Sequence, residues 1–232
     1  MEKINIYGEN QKLLKSVLSN EDFEITKEEP EIIICLGGDG TFLESERKFP
    51  GIPKLFIKHK KKAPSKKILS NIFRNLREGK YKMHTEKKVH CLVNGFEMVG
   101  LNDVNIHYTP PCALRLSVNI NKKKITPHII CDGAVIATPY GRTGYFSSIT
   151  NKKFKKGMGL VFNNPTRKHK PIIVNESDTI KIKILRGKGV VAVDCFPNLV
   201  QVKENDEIQI KEAVSQANLI QIKGMQKKII NY

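Results

Sequence analysis

The apolar run Ile32-Ile33-Ile34-Cys35-Leu36 stops at Gly37-Gly38-Asp39-Gly40-Thr41, and this junction limits what the chain can fold into more than any other stretch. An unbroken apolar run of this length reads as a strand buried on both faces, the kind that parallel sheets contain. The glycines that follow allow positive φ and let backbone N–H groups approach an anion closely. Asp39 places a carboxylate where a pure phosphate cradle would have none, which points to chemistry at the turn. A tight turn that merely closes the strand is the alternative reading of the pentapeptide.

The sequence around the junction predicts an α/β layer with parallel strands. Residues 4–7 read as a first strand, and Leu13, Leu14, Val17 and Leu18 follow at helical spacing. Ser65 is placed to cap a second helix with the stripe Ile68, Leu69, Ile72, Phe73 and Leu76, and Gly79 to stop it. From about residue 83 short alternating runs take over. Asn94-Gly95 predicts a hairpin between residues 90–93 and 96–99, and residues 119–124 a second hairpin tip. Further runs at 128–137, 171–174, 179–185, 189–194 and 199–202 have the spacing of a β-sandwich or related sheet pair, and 218–222 offers a last strand. The expected division is an α/β domain over residues 1–84 and an all-β domain over 85–212.

At 232 residues the chain is long enough to bury a sizeable core. No apolar run approaches the roughly 18 residues that span a bilayer, and Met1-Glu2-Lys3-Ile4 lacks the basic-then-apolar plan of a secretory signal. A cytoplasmic protein without membrane contact is the expectation. Cys35, Cys91, Cys112, Cys131 and Cys195 are scattered and form no C-x-x-C pair, so neither a zinc site nor a disulfide framework is expected. The formal net charge of +17 invites a nucleic-acid reading. Its lysines are spread along the chain with no helix-turn-helix, zinc-finger or RNP pattern beside them, so no specific nucleic-acid partner is expected. The densest basic run, Lys58-His59-Lys60-Lys61-Lys62-Ala63-Pro64-Ser65-Lys66-Lys67, reads as a solvated loop, with the gathering of substrate phosphates as the other possibility.

Three more segments suit a nucleotide. Asn102-Asp103 interrupts an apolar strand with an amide and a carboxylate, a pair able to hold ribose hydroxyls. Asp132-Gly133 ends the run Ile129-Ile130-Cys131. Thr138-Pro139-Tyr140-Gly141-Arg142-Thr143-Gly144-Tyr145 packs hydroxyls, glycines and aromatic rings into one loop able to hydrogen-bond and stack a base.

In this order, and with Asp194 behind them, these segments resemble the NAD kinase family over about residues 31–200. Gly-Gly-Asp-Gly-Thr alone is shared with lipid and sphingoid-base kinases; the Thr-Pro-x-Gly-x-Thr-x-Tyr loop behind it is far more specific. The resemblance implies a Rossmann-like N-terminal α/β domain and a β-sandwich-like C-terminal domain, with the chain end, about 213–232, returning to the first. It implies transfer of a γ-phosphoryl group from ATP or polyphosphate to the 2′-hydroxyl of the adenosine ribose of NAD. Asp39 would take the hydroxyl proton, and Gly37, Gly38, Gly40 and Thr41 would shape the phosphate pocket. Asn102, Asp103, Asp132, Thr143, Tyr145 and Ser148 would bind NAD, and Lys58, Arg142 and Arg167 are candidate phosphate contacts. Mg²⁺ or another divalent cation would arrive with the donor, with no dedicated protein metal site, and the family suggests a homodimer or homotetramer.

The chain departs from the family pattern at several points. It has Asn102-Asp103 for Asn-Glu, Cys131-Asp132-Gly133 for Gly-Asp-Gly, Asp194-Cys195 for Asp-Gly, and Arg142 where a small residue is commoner. A glycine-rich segment usual after the next strand is replaced by Phe56-Ile57-Lys58-His59-Lys60-Lys61-Lys62. Two other functions stay open: a lipid or sphingoid-base kinase, which shares the glycine turn, and, because of these departures, a catalytically weak nucleotide-binding regulator.

Overall fold

The computed structural model describes residues 2–19, 21–59 and 63–222. Lys60, Lys61 and Lys62 of the basic run, and the expected chain-end return beyond Ile222, lie outside the described residues. The described residues divide into two compact units, one formed by those up to Glu86 with the segment 216–222, the other by Lys87–Ser215.

In the first unit β1 (Lys3–Gly8), β2 (Glu24–Ile25), β3 (Ile32–Gly37) and β4 (Lys54–Lys58) lie parallel in the order β2-β1-β3-β4. Leu219 and Ile220, near the end of the last described strand, pair parallel with Lys54 and Leu55 beyond β4. Every residue of β3 is buried, as expected of a strand covered on both faces. Helices α1 (Gln11–Leu18) and α3 (Lys66–Arg77) bury Leu14, Val17 and Leu18, and Leu69, Ile72, Phe73 and Leu76, in the core that also holds Ile34, Leu36 and Leu55. Ser65 caps α3 as its sequence predicts, its Oγ accepting the Ile68 N–H. At the other end Gly79, at φ +64, closes a Schellman pair: its N–H donates to Leu76 O and the Lys80 N–H to Asn75 O.

Between β3 and β4 lies α2 (Asp39–Lys48), which the sequence reading does not anticipate. The stretch read as a turn is the start of this helix. Its apolar signal is short because only Phe42 and Leu43 are apolar among its buried residues, beside Ser45 and Glu46. Phe42 stacks on Phe56 of β4, and Glu46 meets Lys54, so a buried ion pair takes the place of an apolar stripe.

In the second unit β5 (Tyr81–Val93) and β6 (Phe96–Gly100) form the expected hairpin, with Asn94 and Gly95 both at positive φ. The remaining strands are β7 (Asp103–Tyr108), β8 (Leu114–Ile120), β9 (Lys123–Cys131), β10 (Gly133–Ala137), β11 (Met158–Asn163), β12 (Ile172–Val174), β13 (Ile180–Arg186), β14 (Gly189–Val193), β15 (Val200–Val202) and the part of β16 (Glu207–Ile222) up to Ser215. One antiparallel set runs β16-β13-β8-β9, and the other runs β12-β11-β10-β7-β14-β15. Val104, Ile106, Ile136 and Leu160 of the second set share one core with Leu116, Val118, Ile182 and Ile210 of the first, as a sandwich requires. The apolar run at 128–137 is two strands of different sheets, divided at Asp132. Likewise Asn102-Asp103 joins two strands rather than interrupting one, and Asp103 is the first residue of β7.

Candidate active site

In the first unit, β3 ends at Gly37, Gly38 is the N-cap of α2, and Asp39 is its first residue. The N–H groups of a first helical turn have no intrahelical acceptor, and the helix dipole favours negative charge there. Space sets the glycine pattern. A Cβ on Gly37 would lie 2.6 Å from Thr41 Oγ1, and one on Gly8 would lie 2.3 Å from Leu36 O and 2.6 Å from Thr41 Cγ2. Thr41 therefore lies against Gly8 and Gly37, in the seam between helix and sheet. A Cβ on Gly38 would meet nothing within 4 Å, and Gly40 is exposed.

Among the described residues, the Asp39 carboxylate has one charged partner. Lys58 Nζ donates to both of its oxygens at 2.7 Å, with 21 % of the Lys58 side chain exposed and 63 % of Asp39. The parallel register Gly37↔Lys58 sets this pair, and the His59 N–H donates to Gly37 O at 3.2 Å, so the lysine leaves its strand beside the glycine turn.

In the second unit the segment from Leu101 to Asp103 is held from two sides. Asp194, in the left-handed region at φ 49, accepts the Leu101 N–H at 2.6 Å on Oδ2 and the N–H groups of Asn102 and Asp103 at 2.7 and 3.1 Å on Oδ1. On the other side Thr138 Oγ1 donates to Leu101 O at 2.5 Å and accepts the Gly141 N–H at 3.1 Å, while the Thr138 N–H donates to Asn102 O at 2.8 Å. Two glycines make the approach possible. A Cβ on Gly100 would sit 2.4 Å from Val193 Cγ1 and 2.8 Å from Asp194 Oδ1, and one on Gly141 only 2.1 Å from Asn102 O.

Burial pushes the Asp103 carboxyl up to about 7, with the Asp194 charge adding to the shift. Burial also raises the Asp194 carboxyl, opposed by the hydrogen bonds from Leu101, Asp103 and Asn102 and by the Lys88 charge. Thr143 ends a single 3₁₀ turn, Gly141–Thr143, and Tyr145 opens the short helix α4 (Tyr145–Thr150) with 58 % of its surface exposed. An open tyrosine ring suits stacking on a base. Buried Phe146 anchors α4, edge-on to Phe154. Ser148 Oγ donates to Tyr145 O at 2.8 Å, and an Arg142 guanidinium nitrogen donates to Pro139 O within its own loop.

The structure thus brings together Asn102, Asp103, Thr143, Tyr145 and Ser148. Asp132 stands apart from them. It precedes β10, whose register pairs Ala137 with Asp103 and Gly133 with His107, so about 17 Å of strand separates the two ends. There Asp132 Oδ2 accepts the Asn164 amide at 3.0 Å. Exposed Arg167 belongs to this same end, since the adjacent Thr166 N–H donates to Ile130 O. Two features escape a reading of motifs. Gly100 carries no motif, and the role of Thr138 in bracing the Asn-Asp segment shows only in its long-range bonds.

A glycine turn with a carboxylate at the end of a parallel strand in one unit, and a braced Asn-Asp segment beside a hydroxyl-rich loop in the other, each suit a nucleotide-using phosphotransferase. The family follows from comparison. Residues 101–222, just over half of the chain, match the model of the ATP-NAD kinase C-terminal domain, and the chain belongs to the NAD kinase family. It is 27 % identical over 235 residues to the NAD kinase of Sulfurisphaera tokodaii, covering 92 % of each chain. Among solved structures it is similar to yeast NADH kinase complexed with NADH, at a TM-score of 0.82 and 16 % identity over 95 % of this chain and 83 % of that one. It is also similar to an NAD kinase from Archaeoglobus fulgidus in complex with ATP, at a TM-score of 0.78 and 19 % identity over 100 % and 96 % of the two chains.

Proposed function

We propose that this chain phosphorylates the 2′-hydroxyl of the adenosine ribose of NAD with ATP, giving NADP and ADP. The observation that carries the proposal is Asp39 at the carboxyl end of buried β3 and the start of α2, the place where open α/β sheets bind their ligands. In the reaction the 2′-oxygen bonds to the γ-phosphorus as the bond to the β,γ-bridging oxygen breaks. The hydroxyl proton goes to the Asp39 carboxylate, and the leaving charge stays on the β-phosphate of ADP. Such a transfer has a loose transition state, so the protein contributes mainly position and charge.

Gly37, Gly38 and Gly40 keep side chains out of the turn that receives phosphate, and Thr41 holds that turn against Gly8 and Gly37. Asn102 and Asp103 hold the adenosine portion of NAD, with Thr143, Tyr145 and Ser148 lining the base and Asp132 serving its nicotinamide side. Arg142 and Arg167 are further phosphate contacts in this reading. The open Tyr145 ring and the bracing of residues 101–103 by Asp194 and Thr138 support it, since a braced segment positions ribose contacts without further ordering.

Magnesium on the donor phosphates fits these residues. Among the described residues no group of three or more His, Cys, Asp or Glu forms a metal cage. A phosphate-borne Mg²⁺ keeps several waters and is held chiefly by the phosphates themselves, so it needs no protein cage. When bound, the ion neutralises charge on the donor's phosphate oxygens. Among the described residues no helix is long and apolar enough to cross a membrane. The proposal includes a cytoplasmic enzyme acting as a homodimer or homotetramer, which light scattering on the purified protein reads directly.

The test is the purified chain with NAD, ATP and Mg²⁺, followed by a coupled reaction specific for NADP, with polyphosphate as a second donor. Steady NADP formation is expected. NAD binding without product would instead support a regulator that has lost turnover.

A further inference from the structure

We propose that Lys58 exchanges partners during turnover: in the free enzyme it holds the Asp39 carboxylate, and on donor binding it moves to the donor's phosphates and releases Asp39 to act. The proposal rests on the kinase reading above. Its basis is the two-pronged contact of Lys58 Nζ with both Asp39 oxygens at 2.7 Å. A carboxylate clasped in this way has one lone pair on each oxygen engaged by an ammonium hydrogen, and its charge is countered at contact distance. Opening the clasp frees those lone pairs and takes a positive charge away from the oxygens that must accept the hydroxyl proton.

The clasp is built to open. Most of the Asp39 side chain is exposed, and an ion pair in such a setting is screened and weak. Lys58 is the last residue of β4, with its backbone fixed by the register to Gly37 and by the His59 N–H on Gly37 O. Only its flexible side chain needs to swing. A triphosphate carries several negative charges against one on Asp39, and lysine binds phosphate as a mobile point charge without demanding a fixed fork geometry. The first-turn N–H groups of α2 draw phosphate to the same corner. Donor arrival would then move one positive charge from the base to the transferring group. Both changes favour reaction: the carboxylate regains the two engaged lone pairs, and the phosphate gains a counter-charge.

The experiment is a double-mutant cycle read by binding, so it does not depend on turnover. The affinity of a non-hydrolysable ATP analogue with Mg²⁺ is measured for wild type, Asp39→Asn, Lys58→Met and the double variant. Lys58→Met is expected to weaken the analogue by roughly tenfold, the scale of one charge-assisted contact. Asp39→Asn frees Lys58 and is expected to tighten it several-fold, an effect that largely disappears in the Lys58→Met background. Equal tightening with and without Lys58 would mean simple repulsion between carboxylate and phosphate, and would overturn the exchange. Lys58→Arg supplies a second readout. Its planar fork grips a carboxylate in two parallel bonds and releases it less readily, so kcat falls and the donor KM rises toward that of Lys58→Met. A Lys58→Arg enzyme with wild-type kcat also overturns the proposal. If wild type makes NADP while the cycle shows no coupling, only the exchange fails; if wild type neither binds the analogue nor makes NADP, the kinase reading fails.

Discussion

Asp194 and Asp103 are joined backbone to backbone and backbone to side chain: the Asp194 N–H donates to Asp103 O at 3.0 Å, and Asp194 Oδ1 accepts the Asp103 N–H at 3.1 Å. With the bonds from Leu101 and Asn102, one carboxylate satisfies three consecutive N–H groups. Replacing it with Asn presents an amide with a single acceptor oxygen to those three donors. Each N–H left unpaired in a buried place costs about 1–3 kcal/mol. Asp194→Asn is expected to lower the unfolding midpoint clearly and to raise the KM for NAD more than it lowers kcat, because it loosens the segment that holds the ribose. Thermal unfolding with steady-state kinetics checks this. An unchanged midpoint and KM would show that the bracing carries no energy.

The same two carboxyls make stability fall as pH rises. Burial first, and Asp194 second, raise the Asp103 carboxyl from 3.8 to about 7. A raised carboxyl holds its proton more tightly folded than unfolded. Its contribution is therefore full below 3.8 and lost as pH rises through about 7. The Asp194 shift has the same direction and the same sign, and the two titrate as a pair. Asp103→Asn removes the Asp103 share. Across that interval the stability of wild type relative to Asp103→Asn should fall as pH rises, by a few kcal/mol in order of magnitude. Urea unfolding of both proteins over the interval measures the difference, and a flat difference would contradict the assigned burial.

Much of this arrangement is legible in the sequence because local chemistry dictates it. Buried β3, the Ser65 cap, the Gly79 stop and the Asn94-Gly95 hairpin each follow from a few adjacent residues. Helix α2 is not legible, since Glu46 reads as a surface residue until Lys54 is seen buried against it, and the glycines ahead of it read as a turn. The candidate site divides the same way. Asp39 and the Thr138 loop announce themselves by residue type, whereas the Lys58 contact depends on the register of two strands separated by α2. Gly100 matters because Asp194, far along the chain, comes within reach of where its Cβ would be. The distance of Asp132 from Asp103 becomes visible only once β10 is known to run between them.

Asp39→Asn removes the proton acceptor and keeps the shape. General-base assistance of this kind is worth on the order of 10²–10⁴ in rate, so kcat should fall by about that factor with NAD affinity within a few-fold of wild type. Rapid-quench measurement of NADP formation, with NAD binding by calorimetry, separates the two effects. Turnover at the wild-type rate would remove Asp39 from the mechanism.

The buried pair that anchors α2 gives the last prediction. Glu46 Oε2 lies 2.6 Å from Lys54 Nζ, with 4 % and 0 % of the two side chains exposed, and the ammonium also donates to Phe49 O at 2.6 Å and Ile52 O at 2.9 Å. Glu46 Oε1 accepts the Gly51 N–H at 3.2 Å, so the pair ties α2, the following turn and β4 together. Those elements carry Asp39 and Lys58 at their ends. Glu46→Leu leaves an ammonium buried without its counter-charge, and breaking such a pair costs about 3–5 kcal/mol. Adding Lys54→Met removes the stranded charge, yet it leaves the carbonyls of Phe49 and Ile52 without their donor. The double variant should therefore recover only part of the loss. Denaturant unfolding of the two single variants and the double variant measures this, and a single Glu46→Leu variant as stable as wild type would show that the ion pair does not hold the helix to its strand.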